Sequence, residues 1–239
     1  FFLECLALWF NAWMTRRVGA ATVGTLALAG SFFNLAAMVA GGNAMLCASR
    51  FVSEELGKPC GCPARVLRHG ISFCMLLSLP VTAVVCIFAQ PLSQQFLQSD
   101  SMAHAVRLMA LLLPLGSLSA CLKGYFNAVC RVTVTAACDV AEFLLRAGIL
   151  TGLLLWRGDT RPEQVCTDLV CSMACGTLFT AVTLTVLYFQ KREPCGGTCS
   201  LSLWRYIRLA VPVAVGGCLT AGLSTANDAL IPVTLRQFG

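Results

Sequence analysis

Residues 21–48, ATVGTLALAGSFFNLAAMVAGGNAMLCA, carry no formally charged side chain. A helix needs about 20 predominantly apolar residues to cross the hydrocarbon core of a bilayer, and this stretch exceeds that length. Inside lipid a backbone has no water to bond, so its N–H and C=O groups must pair within the segment. A helix does this and an open strand does not. The strict polar–apolar alternation of a membrane barrel is absent from the chain. Gly24, Ala27, Gly30, Ala36, Ala40, Gly41 and Gly42 punctuate the stretch, and small residues of this kind let a neighbouring helix backbone come close. Asn34 and Asn43 read as interhelical hydrogen-bonders.

Apolar segments lie on both sides of this one. Phe1 to Met14 is too short to span and reads as the remains of a spanning helix rather than a signal peptide, since Glu4 replaces a basic leader. Further spans are expected over Ile71–Phe88, Met102–Phe126, Thr133–Trp156 and Val165–Phe189, with a seventh from Ile207 past Pro212 to about Leu230. Both ends of the chain look cut. Pro80, Pro114 and Pro212 interrupt helix interiors, as static kinks or as bends that move. Trp156, Tyr188, Trp204 and Tyr206 fall at segment ends, where aromatic rings favour the membrane interface.

Composition agrees. Of 239 residues 57% are hydrophobic and 12% charged, with a mean hydropathy of +0.77, whereas a soluble domain carries roughly 25% charge. The net charge of +6 does not point to nucleic acid, because Lys and Arg fall in short clusters between apolar runs rather than on one basic face. Basic residues in the loops after the second, fourth and sixth spans (Arg50, Lys58, Arg65, Arg68; Lys123, Arg131; Lys191, Arg192, Arg205, Arg208) outnumber those opposite. That bias predicts a cytoplasmic N-terminus. Arg16 and Arg17 oppose the bias, which suggests that they have another task.

Fifteen cysteines suggest a disulfide scaffold only until they are placed. Most lie in apolar runs, where a thiol is a small hydrophobe. Cys60, Cys62, Cys195 and Cys199 sit in polar loops and read either as metal ligands or as plain loop thiols, with no further ligand at zinc-site spacing.

The fifth span holds the densest chemistry. In CDVAEFLLRAG (138–148), Asp139, Glu142 and Arg146 share one helix face, and Glu142 and Arg146 form an i,i+4 pair. Glu142 lies about 14 Å along the helix from Thr133, near mid-membrane, where a lipid-facing charge costs about 2.5–3.5 kcal/mol. The group therefore faces protein or water, as an internal ion pair, a polar pathway wall, or both. Asp228 in LSTANDALIP reads as a hydrated helix end or a cavity lining. His69 and His104 have no catalytic partner in sequence, and no nucleophile–base pair or phosphate loop is present. The pattern is not that of an enzyme, and it calls for no cofactor.

Several stretches resemble the multidrug/oligosaccharidyl-lipid/polysaccharide flippase superfamily, in particular its stage V sporulation protein B-like and polysaccharide-export branch. RRVGAATVG (16–24) resembles the turn after that branch's first helix, and ASRFVSEELGK (48–58) its loop after the second. LKGYFNAVCRVTVTAACDVAEFLLRAG (122–148) is similar to its fourth-to-fifth helix hairpin. RLAVPVAVGGCLTAGLSTANDALIPVTLRQFG (208–239) is similar to its seventh helix, although the branch's glutamate–asparagine order is Asn227–Asp228 here.

The resemblance implies an all-α integral membrane protein, namely the first six-helix lobe of a MATE-like two-lobed transporter (1–190) followed by a loop and the first helix of the second lobe (191–239). It implies flipping of a lipid-linked sugar, with Arg16, Arg17 and Arg146 binding pyrophosphate and with Asp139, Glu142 and Asp228 serving ion coupling or cavity lining. Expected partners are membrane lipid, the lipid-linked substrate and the second lobe. The alternatives are a cation-coupled multidrug antiporter of the same fold and, from another class, a non-transporting scaffold or decayed fragment.

Overall fold

The computed structural model describes residues 2–58, 61–92, 103–157, 162–191 and 202–238. Among them every regular element is helical: α1 (Phe2–Val18), α2 (Ala20–Gly41), α3 (Ala44–Leu56), α4 (Pro63–Ile87), α5 (Ala89–Leu92), α6 (Ala103–Ala128), α7 (Val132–Arg157), α8 (Pro162–Lys191) and α9 (Leu203–Phe238). Phe33–Leu56, Pro63–Ile87, Val106–Ala128, Gln164–Lys191 and Leu203–Asn227 are long and apolar enough to cross a membrane. α7 matches α6 in length, at 26 residues, but carries three charges along one face. The chain is an all-α, multi-span membrane protein.

The stretch 21–48 is not one unbroken helix. Gly42 (φ 53°) and Asn43 (φ 56°) adopt the left-handed conformation between α2 and α3, which Gly takes freely and Asn more readily than most residues. Few backbone groups are stranded there. The Gly42 N–H reaches the Met38 carbonyl (2.9 Å), and the Asn43 carbonyl accepts from the N–H groups of Leu46 and Cys47 (both 3.1 Å). The Cys74 thiol donates to the Gly41 carbonyl at 3.5 Å. Asn43 thus serves the break, while Asn34 is exposed rather than bonded between helices.

The loop expected after Ala48 is largely helix. α3 continues to Leu56 and α4 begins at Pro63, so Arg50, Arg65 and Arg68 are helical. At 25 residues α4 is about 37 Å long, longer than the roughly 30 Å hydrocarbon core, and its ends can project beyond it. Glu55, only 1% exposed, closes the short connection by accepting the Cys62 N–H at 3.3 Å and pairing with Lys58. Its charge suits the N-terminus of α4. Cys62 is disulfide-bonded, so neither the metal reading nor the free-thiol reading holds for it. Cys60, Cys195 and Cys199 lie outside the described residues.

Two cores result. One joins α3, α4, α6 and α9 through Phe51, Phe73, Leu122, Tyr125, Phe126 and Tyr206. The other joins α1, α7 and α8 through Met14, Leu150, Val165 and Val170. Tyr206, expected at the membrane interface, is fully buried in the first. Its ring meets Phe51 edge-on at 4.7 Å and Phe73 at 6.1 Å, contacts that burial supplies and an interfacial position would not.

Close helix approach falls only partly where expected: a Cβ on Gly42 would lie 3.1 Å from Leu77 and 3.2 Å from Phe73 of α4. Gly24 and Gly30 have nothing within 4 Å of where a Cβ would sit, and the Ala27 side chain is outside the described residues. The tightest backbone approach between helices is at Gly124 of α6, where a Cβ would lie 2.5 Å from the Met45 carbonyl oxygen and 2.8 Å from the Ala48 Cβ of α3. Gly124→Ala is therefore expected to force α3 and α6 apart at a cost of about 1–3 kcal/mol. It should lower the thermal unfolding midpoint in detergent, while Gly152→Ala, with open space around it, should leave the midpoint unchanged or slightly higher.

Candidate functional site

The site begins with the α6–α7 hairpin. α6 ends in a tight turn in which the Arg131 N–H bonds the Phe126 carbonyl at 2.9 Å and Cys130 is left-handed (φ 59°). The Thr135 hydroxyl and the Asn127 side-chain oxygen, 2.9 Å apart, fasten the two helices just beyond it. The antiparallel return brings Lys123, near the end of α6, level with Asp139 in α7. Lys123 Nζ lies 2.6 Å from Asp139 Oδ1 and 3.5 Å from Glu142 Oε2.

α8 completes the cluster. Thr180 Oγ1 donates to Glu142 Oε2 at 2.8 Å, and Arg146 bonds Glu142 Oε1. Arg146 Nη2 also donates to Thr177 Oγ1 at 3.1 Å. The Thr177 hydroxyl gives its own proton to the Met173 carbonyl (2.9 Å), which leaves its oxygen free to accept from the arginine. Gly176 makes the fit possible, because a Cβ there would lie 2.7 Å from Arg146 Cγ and Nε. The sequence-predicted face of Asp139, Glu142 and Arg146 therefore exists, but with two cationic partners and two threonines. Glu142 is 14% exposed and wholly engaged; Asp139, 41% exposed, is the open carboxylate.

This face lines a cleft of about 310 Å³ against α1, with Leu3, Glu4 and Ala7 on the other wall. Phe10 and Phe143 meet edge-on at 6.3 Å beside it. Inside the cluster two acids meet two bases, so Glu4 leaves the cleft with an acidic excess. The arrangement can hold a cation or exchange a proton at Asp139, and Arg146 can meet an anion only in competition with Glu142.

Arg16 and Arg17 are exposed in the last turn of α1. α1 and α7 run in the same direction, since Leu3–Ala7 face 139–146 while Met14 packs with Leu150. Arg16 thus lies nine residues beyond Ala7, about 14 Å along the helix. Arg16 and Arg17 are not among the residues lining the cleft, and Arg146 is bonded to Glu142 and Thr177 instead. Arg50 pairs with Glu54 at 3.7 Å on the exposed side of α3. The Asp228 side chain lies outside the described residues.

Sequence reasoning missed Lys123, Thr177 and Thr180. Lys123 looked like a loop residue because it precedes a turn. The threonines, at i and i+3 in CGTLFTA, stand where their hydroxyls share one face of α8.

A bundle of apolar spans with a charge cluster shared by three helices and opening on a cleft has the build of a helical transport protein; within the cluster Arg146 Nε alone is buried without a partner among the described residues. Residues 1–150 match the family model described as MatE; the chain belongs to that family, and so to the membrane transporters of the multidrug/oligosaccharidyl-lipid/polysaccharide superfamily. No curated protein matches it.

Removing a carboxylate from a charge cluster hurts in proportion to how many donors it leaves unpaired. Glu142→Gln should therefore lower the thermal midpoint more than Asp139→Asn. Gly176→Ala should act like Glu142→Gln by displacing Arg146, and all three midpoints can be measured by unfolding in detergent.

Proposed function

We propose that the chain moves a lipid-linked sugar bearing pyrophosphate across the plasma membrane by alternating access, with its N-terminus cytoplasmic. The observation that carries this reading is the exposed Arg16–Arg17 pair at the end of α1. It opposes the charge bias of the spans, and no described acidic residue is bonded to it. Guanidinium groups present fixed, paired donors suited to pyrophosphate oxygens. The likeness to the polysaccharide-export and sporulation branch supports a cell-wall or spore-wall precursor as the cargo. In this reading Arg146 is a clamp on Glu142 rather than a first docking point. The second wall of the cavity comes from a second lobe.

The openness of Asp139 and the unmatched Glu4 favour a second reading, a cation-coupled antiporter in which Asp139 takes up a proton or sodium ion and cationic compounds leave the cell. The two readings separate in cells. Under the first, the double substitution Arg16→Ala/Arg17→Ala abolishes complementation of a flippase-deficient strain at unchanged membrane abundance. Full growth of that variant would sink it. Under the second, Asp139→Asn ends resistance to cationic dyes and the arginine pair is dispensable.

A further inference from the structure

Most of the described contacts on the buried side of α9 are made by small residues. Ala210 is fully buried, Ala214 and Ala221 are 7% exposed, and Gly217 lies against Asn43 and Met38. Ala214 and Gly217 face the α2–α3 break, where a Cβ on Gly42 would lie 3.4 Å from Ala214 Cβ. A stripe of Ala and Gly is a low-relief surface that gives little resistance to rocking or sliding. Ile207 and Val213 pack against the same core only partly buried, and the large side chain of α9 that is fully buried among the described residues is Tyr206, 0% exposed and seated between Phe51 and Phe73. Gly70 of α4 forms the floor of its seat, for a Cβ there would lie 2.9 Å from the Tyr206 hydroxyl and 3.5 Å from the ring carbon bearing it. That hydroxyl is buried and has no hydrogen-bond partner among the described residues. Its surroundings include Cys121, whose sulfur would lie 4.0 Å from the same Cβ and whose thiol points to Cys74 Sγ at 3.4 Å.

We propose that Tyr206 in the Gly70 hollow is a releasable latch that sets the position of α9 on α3 and α4. The ring gives the seat its grip through apolar and edge-on aromatic contact. The buried, unpaired hydroxyl weakens that grip, because an oxygen that loses water without gaining a partner opposes burial. The latch is therefore strong enough to define one position of α9 and weak enough to leave it. Once the ring lifts, the small-residue face of the helix can rock across the Gly42–Asn43 break without dismantling interlocked side chains. An ordinary core tyrosine would carry a bonded hydroxyl.

The latch guards Cys121, which is 0% exposed, whereas Cys130 in the α6–α7 turn is exposed. The rate at which N-ethylmaleimide labels Cys121, read by peptide mass spectrometry against Cys130 in the same membranes, measures unlatching. Tyr206→Phe deletes the unpaired oxygen and keeps the ring. It should slow Cys121 labelling about fivefold and raise the thermal midpoint by about 2–4 °C. Gly70→Ala should lower the midpoint by crowding the hydroxyl, and adding Tyr206→Phe to it should restore most of the loss, since the contact nearest the new methyl is gone. A lower midpoint for Tyr206→Phe, unchanged Cys121 labelling, or no recovery in the double variant would overturn the latch. The measurements use no substrate, so they leave the flippase reading to stand or fall separately.

Discussion

A carboxylate among apolar helices has to be surrounded by donors, and Glu142 draws its donors from three helices. Lys123 comes from α6, Arg146 from its own helix one turn on, and Thr180 from α8. Each bond offsets part of the cost of removing a charge from water, and together they determine how α6, α7 and α8 can be arranged. The tight turn at Cys130, the glycine at 176 and the back-bonded hydroxyl of Thr177 all serve the same arrangement. Change the position of Glu142 and three helices lose their common reference.

The cluster also divides labour among the charged groups. Glu142 is saturated and acts as the fastener, while Asp139 has one described partner, Lys123, and an open side toward α1. Arg146 is committed to the fastener. The exposed Arg16 and Arg17 sit about 14 Å further along α1. A cleft with acidic excess and a separate basic pair suit different tasks, such as ion handling at one level and recognition of an anionic group at another.

The core of α3, α4, α6 and α9 follows a different logic. α9 is held to α3 and α4 through a ring, and to the α2–α3 break through a face of alanines and glycine. The break is itself a product of local chemistry, since Gly42 and Asn43 are residues that tolerate the left-handed region and the neighbouring thiols lend weak donors to its carbonyls. Charge pairing thus joins α6, α7 and α8, while small residues and one buried ring seat α9.

Much of this was written in the chain's own order of residues. Long apolar runs in lipid have only one economical backbone pattern, so the all-helical class and the shared face of Asp139, Glu142 and Arg146 follow from hydropathy and a 3.6-residue period, whereas the break between α2 and α3 does not. The same local rules did not foresee that helix would run on through Arg50 and Arg65, because charge does not stop a helix and the buried cap at Glu55 lies seven residues from the N–H it receives. Nor did they foresee the roles of Lys123, Thr177, Thr180, Gly124 and Tyr206. Each of these acts on a residue of another helix, and helix-to-helix distance is decided by packing across the bundle, which no periodicity along one segment encodes.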